Sequence, residues 1–109
     1  MSYLTGTLVV PDAKVVDYLL NPDHPIGGAK AAYFASFGFT RDRAELLSAA
    51  LLDHADRHPV HTERVHRFGG NRNVRCNLPS PNGRDPCVVA VWFQAAEVDV
   101  QRLVTAYPA

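Results

Sequence analysis

The spacing of hydrophobic residues changes at Pro59, and this change constrains the fold more than any other feature of the chain. Before Pro59, apolar side chains recur at helical intervals, most clearly over residues 47–54. After it, the apolar positions approach the period of two that is typical of strands. A chain of 109 residues can build one modest core. We therefore predict a single α+β domain over residues 1–109, with about three N-terminal helices packed on a C-terminal antiparallel sheet of about four strands.

Prolines, glycines and capping residues divide the first half of the chain into predicted helices. Two prolines within five residues remove backbone donors and restrict their neighbours, so no helix can continue through that segment. The predicted elements are a short extended piece at Thr7–Val10, a helix that begins at Pro11–Asp12 and covers Ala13–Leu20, a loop at Asn21–Pro25, a helix that ends at Gly38, and a helix capped by Thr40 that ends before Pro59.

The second half reads as strands joined by tight turns. Cys87–Phe93 is apolar on both faces, which places it at the centre of the sheet. Asn82-Gly83 readily adopts the positive φ angles of a hairpin. The other predicted strands are Val60–Arg67, Arg72–Leu78 and Arg102–Tyr107, with turns at Phe68–Asn71 and Pro79–Arg84.

Charge is segregated along a chain whose formal net charge is zero. Residues 1–56 carry a net charge of −3, residues 57–84 carry +5 and the remainder carries −2. Clustered arginine suits phosphate recognition because one guanidinium can bind two oxygens. A solvated sheet face that keeps the protein in solution is the competing interpretation of this basic segment.

Strand alternation groups polar side chains near the end of the chain. Side chains two residues apart share a face, so Thr105 and Tyr107 project together. The same rule groups Asn73, Arg75 and Asn77 on one face of the second predicted strand. These two polar rows could line one cleft.

Four ordered motifs resemble a bacterial family of effector or toxin type, found as small stand-alone proteins and as C-terminal modules of large secreted effectors. The likeness spans Val9–Pro108 and rests on the segments His24–Lys30 (HPIGGAK), Pro81–Arg84 (PNGR), Val88–Phe93 (VVAVWF) and Leu103–Pro108 (LVTAYP). The order of helices before sheet, with a closing Thr-x-Tyr, also resembles the barnase/EndoU/colicin/RelE superfamily of metal-independent ribonuclease toxins.

The second resemblance implies an endoribonuclease in which the 2′-hydroxyl of RNA attacks the adjacent phosphorus, leaving a 2′,3′-cyclic phosphate, with no metal and no cofactor. Its catalytic side chains would be His24 for proton exchange, Lys30 for phosphate charge, and Thr105 and Tyr107 for hydrogen bonds to the phosphate. Arg72 or Arg75 would clamp phosphate oxygens beside Asn73. The expected partners are RNA and a cognate antitoxin or immunity protein.

Non-catalytic interpretations remain for the same residues. His24 can simply cap its loop through a ring hydrogen bond, and Lys30 can lay its stem over Phe34. Thr105 and Tyr107 are residue types that strands favour in any case. The alternative functions are a protein- or anion-binding module of a toxin–antitoxin or effector–immunity system, and a folded antitoxin or immunity protein that is itself harmless.

Other classes of site and location are disfavoured by spacing. His54 and His58 lack the intervening Glu of zinc hydrolases, and Gly27-Gly28 before Lys30 lacks the spacing of a phosphate-binding loop. Cys76 and Cys87 are predicted to be free thiols, although they could approach each other across the hairpin. No apolar run is long enough to span a membrane, and no secretory signal opens the chain. We expect a cytoplasmic protein with no membrane partner, or a module delivered within a larger secreted effector.

Overall fold

In the computed structural model, which describes residues 2–109, three helices pack against one mixed β-sheet. Helix α1 (Asp12–Lys14) continues as a π-helical turn over Val15–Leu19. Helix α2 covers Gly28–Ala35, and α3 covers Ala44–Arg57 after a 3-10 turn at Arg41–Arg43. The strands are β1 (Thr7–Val9), β2 (Val60–His66), β3 (Gly69–Asn77), β4 (Cys87–Ala95) and β5 (Val100–Pro108).

The strands lie in the order β1-β5-β4-β3-β2, with β1 parallel to β5 and every other pair antiparallel. The α+β class with three helices is therefore confirmed, and β4 occupies the centre as its apolar sequence predicts. The predicted antiparallel strands are present as β2 to β5, but the sheet differs from the prediction in one respect: the extended piece at Thr7–Val9 joins it as a fifth, parallel strand and makes it mixed. Three residues are too few to show alternation, and their partner strand lies at the other end of the chain.

The first helix departs from ordinary α-geometry in the segment Val15–Leu19. The amide of Leu20 donates to the carbonyl of Val15 at 2.9 Å, which is the i to i+5 bond of a π-turn. Val15 and Leu19 are both fully buried. A simple 3.6-residue period does not describe this segment, and π-turns are frequent at functional sites.

The core lies between the helices and one face of the sheet. Trp92, Phe34 and Phe39 are its largest fully buried side chains. The strand residues that pack in this core are Val74, Val88, Ala90, Trp92, Leu103 and Ala106. We call the side of the sheet to which these residues point the covered face, and the opposite side the open face. The apolar stripe predicted within residues 47–54 of α3 is buried, with His54 among its buried members. Nε2 of His54 donates to the carbonyl of Cys76 at 2.9 Å.

The hairpin between β2 and β3 is tighter than the sequence indicates. The predicted turn Phe68–Asn71 is wrong, because β3 already begins at Gly69 and the turn is confined to residues 67–68. Gly69 has a φ of +144° and lies tightly against the backbone of β4, so only glycine suits this position. Cys76 and Cys87, on the next pair of strands, are free thiols.

Candidate active site

A phenol that the sequence did not single out lies at the centre of the candidate site. The hydroxyl of Tyr18, on the π-helical turn, is 3.1 Å from Oγ1 of Thr105 on β5. Strand β1 pairs only with residues 100–102 of β5. The C-terminal half of β5 therefore has no strand beyond it on that side, and the Tyr18 phenol reaches its edge.

Two lysines place positive charge over the Tyr18 ring. Nζ of Lys14 lies 5.4 Å from the ring centroid and Nζ of Lys30 lies 5.5 Å from it. Burial alone raises the pKa of Tyr18, but the hydrogen bonds with Thr105 and Lys30 and the two ammonium charges lower that pKa below its usual value of 10.0. The phenol is therefore easier to deprotonate than an ordinary tyrosine.

His24 packs edge-on against the same ring. The two ring centroids are 5.0 Å apart, with an angle of 80° between their planes. Nδ1 of His24 accepts hydrogen bonds from the backbone amides of Ile26 at 3.0 Å and Gly27 at 2.9 Å. Because Nδ1 is an acceptor, the neutral imidazole carries its proton on Nε2. The loop-capping hydrogen bond expected for this histidine is present, and it presents Nε2–H as a donor.

The close approach of the two segments depends on Gly27. A Cβ at this position would lie 2.8 Å from Cδ1 of Tyr18 and closer still to the Tyr18 carbonyl oxygen. Gly27 therefore allows the start of α2 to pack directly on the π-helical turn. Lys30 then sits in the first turn of α2, where a cation opposes the helix dipole. Its position favours a role in the site over one in helix stability.

The structure brings three of the four predicted catalytic residues together around the side chain of Tyr18. His24, Lys30 and Thr105 all contact Tyr18, although they come from a loop, a helix and the last strand. Tyr107 lies two residues beyond Thr105 and is 36% exposed, with no hydrogen bond among residues 2–109 through its hydroxyl. It is therefore outside the Tyr18 cluster, which we define as Lys14, Tyr18, His24, Lys30 and Thr105.

Strand register places part of the predicted binding set on the open face beside this cluster. Thr105 and Asn73 both pair with Val91, one from each side of β4. Tyr107 and Arg75 both pair with Val89 in the same way. The two polar rows indicated by the sequence therefore do share one face of the sheet.

Arg72 points to the other side of the sheet. Its position alternates with Asn73, and it pairs with the buried Trp92 of the covered face. Its Nε donates to Glu63 at 2.7 Å and its Nη1 donates to Oε1 of Gln94 at 2.8 Å. The sequence left Arg72 and Arg75 as equal candidates for phosphate binding. Register separates them, because Arg72 is held by protein groups and Arg75 forms no ion pair among residues 2–109.

Tyr18 and Lys14 were missed by sequence analysis, and a weak signal for them was available. They are four residues apart in the predicted helix Ala13–Leu20, the spacing at which side chains meet on one helix face. Nothing local shows that the ring faces Thr105 on β5, since that contact joins opposite ends of the chain.

The two histidines considered as zinc ligands, His54 and His58, are hydrogen-bonded to main-chain carbonyls instead. Nε2 of His54 and Nε2 of His58 each lie 2.9 Å from a main-chain carbonyl on β3, those of Cys76 and Asn77. Within residues 2–109, no three His, Cys, Asp or Glu side chains lie close enough together to hold a metal ion. No helix in that range is both long and apolar enough to cross a bilayer.

Comparison with known proteins gives a family and no activity. No curated protein and no solved structure shows significant similarity to the chain. Residues 5–109 match the family described as Domain of unknown function (DUF6883), and this match includes every strand and helix of the fold. The chain belongs to the DUF6883 family.

Proposed function

We propose that the protein is a toxin-type, metal-independent endoribonuclease that cleaves RNA by attack of the 2′-hydroxyl on the adjacent phosphorus. The observation that carries the proposal is the convergence of His24, Lys30 and Thr105 on the Tyr18 phenol. This reaction needs a base, an acid and positive charge around the phosphate, and it needs no nucleophile from the protein. The Tyr18 cluster contains groups of each kind within one small volume.

Tyr18 and Lys30 act as the proton-transfer pair. The Tyr18 phenolate accepts the proton of the 2′-hydroxyl while the 2′-oxygen forms its bond to phosphorus. The bond from phosphorus to the 5′-oxygen breaks, and the Lys30 ammonium donates a proton to that oxygen. The Tyr18 hydroxyl then returns its proton to the Lys30 amine, which restores both groups. The products are a 2′,3′-cyclic phosphate and a 5′-hydroxyl.

The other members of the cluster hold the phosphate and the base in place. His24 donates from Nε2 to a non-bridging phosphate oxygen, because Nδ1 is already used by the loop amides. Lys14 adds a second positive charge as negative charge develops on the phosphate oxygens. Thr105 orients the Tyr18 oxygen through their 3.1 Å contact. Arg75 and Tyr107 contact the RNA further along the open face.

A protein of this type requires an inhibitor in the cell that makes it. We therefore propose a cognate antitoxin or immunity protein that covers the Tyr18 cluster, in a protein that acts in the cytoplasm or is delivered by a larger secreted effector. Co-expression of the neighbouring gene product tests this directly. Relief of growth arrest by that product supports the inhibitor, and growth arrest that persists contradicts it.

A non-catalytic anion-binding module is the second candidate. Two ammonium groups and one imidazole N–H around a phenol can hold a phosphate or carboxylate without any bond being broken. The two functions differ in what the Tyr18 hydroxyl must do. A binding site loses at most one hydrogen bond when Tyr18 becomes Phe, whereas a base-catalysed reaction loses its base.

Two matched tyrosine variants test the proposed reaction. Removal of a general base lowers the rate by about 100-fold to 10,000-fold. We expect Tyr18→Phe to lower the cleavage rate of a fluorescent RNA by at least about 100-fold while the protein stays folded. Tyr33→Phe is the control, because Tyr33 packs against Phe34 and Phe37 outside the cluster. Equal rates for wild type and Tyr18→Phe would remove Tyr18 from catalysis, and unimpaired RNA binding with no cleavage by wild type would favour the binding module.

A further inference from the structure

The open face of the sheet contains a polar cavity that no part of the proposed reaction uses. It has a volume of about 400 Å³ and lies over β2, β3 and β4. Its lining residues are Thr62, Glu63, Arg64, Asn71, Asn73 and Val91. The register shows how it is built: Thr62 pairs with Asn73, Arg64 pairs with Asn71, and Asn73 pairs in turn with Val91.

The two asparagines of this cavity differ from the others in the chain. The side-chain amides of Asn21, Asn77 and Asn82 each donate to a main-chain carbonyl, so the fold uses them as structural groups. Among residues 2–109, the side chains of Asn71 and Asn73 form no hydrogen bond within the protein. Each therefore offers one unused acceptor and two unused donors at the cavity wall.

Arg64 also has donors that the fold does not use. Like Arg75, and unlike the four arginines that pair with carboxylates, it forms no ion pair with the other residues of the described range 2–109. Glu63 pairs in register with Arg72, so its carboxylate lies on the covered face, where Nε of Arg72 donates to it at 2.7 Å. The donors of Arg64 are thus available to a ligand that presents paired acceptors.

The cavity also lies at a useful distance from the Tyr18 cluster. Asn73 and Thr105 flank Val91 on the two neighbouring strands, so their backbones are separated by two strand spacings, about 10 Å. A nucleotide whose phosphate lies at Thr105 can therefore extend its base across β4 toward Asn73. Within residues 2–109, strand pairing aligns four residues in one row across the open face, and none of them is charged: Thr62, Asn73, Val91 and Thr105.

We propose that this cavity binds the base of a nucleotide next to the cleaved phosphate, an inference that rests on the proposed ribonuclease function. The edge of a nucleobase presents donors and acceptors side by side, and asparagine and arginine are side chains that match such edges in pairs. Proteins read single-stranded RNA by hydrogen bonds to these unpaired edges. The cavity therefore gives the enzyme a preference for one base at its cleavage site, whereas Arg75 and the Tyr18 cluster contact only phosphate.

The distribution of cleavage sites in a random-sequence RNA pool tests this site. One good bidentate contact discriminates bases by about 1–3 kcal/mol, which corresponds to about 5-fold to 150-fold in cleavage ratio. We expect wild type to favour one base at a fixed position from the cut, and the double variant Asn71→Ala/Asn73→Ala to reduce that preference by at least about 5-fold. Asn82→Ala is the control, because its amide belongs to the 80–85 reversal away from the cavity. A wild-type pattern without base preference, or a preference that survives in the double variant, overturns the proposal.

A binding measurement separates this site from the reaction itself. The four ribonucleoside 3′-monophosphates and inorganic phosphate are titrated into wild type and into Tyr18→Phe while the side-chain amide resonances of Asn71 and Asn73 are followed by NMR. We expect at least one nucleotide to shift these resonances in both proteins, whereas inorganic phosphate shifts neither. If wild type cleaves no RNA but this response is present, the proposed reaction fails and the base site stands. If no nucleotide shifts either amide, the base site is rejected whether or not RNA is cleaved.

Discussion

Gly27→Ala is expected to disrupt the candidate site through a steric effect that follows from the backbone. The added Cβ would lie 2.8 Å from Cδ1 of Tyr18, whereas ordinary contacts begin at 3.4 Å. Its clash with the Tyr18 carbonyl oxygen is tighter and requires a shift of about 1 Å. The φ of Gly27 is −84°, so alanine adopts the backbone conformation without strain. The whole effect therefore comes from the loss of close packing between α2 and the π-helical turn.

The expected magnitudes are about 1–3 kcal/mol in stability and about 100-fold in activity. The first figure is the typical cost of forcing an extra carbon into a packed region. The second follows because a shift of about 1 Å in a catalytic group costs about 100-fold in rate. The 3.1 Å contact between Tyr18 and Thr105 cannot survive such a shift unless β5 moves as well.

Gly83→Ala provides a control of similar cost to stability. Gly83 has a φ of +76°, and a Cβ added there would meet no atom within 4 Å. Alanine at this position is therefore strained by about 1–2 kcal/mol without touching the site. Urea unfolding measures the stability of both variants, and initial rates of RNA cleavage measure activity. If Gly27→Ala unfolds at the same urea concentration as wild type, or keeps wild-type activity, the packing argument is wrong.

Three further predictions follow from charge and burial. Arg72→Met should lower the free energy of unfolding by about 1 kcal/mol, because Glu63 loses its charged partner and Gln94 loses one of the two donors to its Oε1. Arg75→Met should change stability by less than about 0.5 kcal/mol and weaken RNA binding, as urea unfolding and a salt-dependent binding assay will show. Burial lowers the pKa of His54 below its usual 6.5, so stability should fall as pH drops through 6.5 and below, and His54→Gln should reduce that slope in unfolding curves between pH 7 and 5. Tyr18 should have a pKa below 10.0, whereas burial should give Tyr33 a pKa above 10.0, and NMR of ring-labelled tyrosine measures both. The rate of RNA cleavage should therefore rise with pH toward the pKa of Tyr18.

The fold was predictable where local patterns and tertiary packing agree. The helical spacing of apolar residues on α3 and the apolar residues on both faces of β4 each predict which side chains are buried in the structure. The pairing of Thr7–Val9 with β5 was not predictable, because a three-residue parallel strand carries no local signature. The turn at residues 67–68 was misplaced because Gly69 and Gly70, which read as turn residues, serve close packing of β3 against its neighbours.

The candidate site was predictable only in part, for a related reason. His24 and Lys30 were identifiable because each belongs to a short motif with its own chemistry. Tyr18 was not, because its importance arises from a contact with Thr105 across the whole length of the chain. Arg72 and Arg75 could not be ranked without the register, since a shift of one residue exchanges the two faces of a strand.

The ends of the RNA products give the most direct test of the proposed reaction. Purified protein is incubated with total RNA in excess chelator, and the fragments are analysed for their terminal groups. Attack by the 2′-hydroxyl predicts a 2′,3′-cyclic phosphate on one fragment and a 5′-hydroxyl on the next, with both formed at least about 100-fold more slowly when Tyr18→Phe replaces wild type. Fragments with 3′-hydroxyl and 5′-phosphate ends, or RNA that stays intact with folded wild-type protein, would contradict the reaction assigned to the Tyr18 cluster.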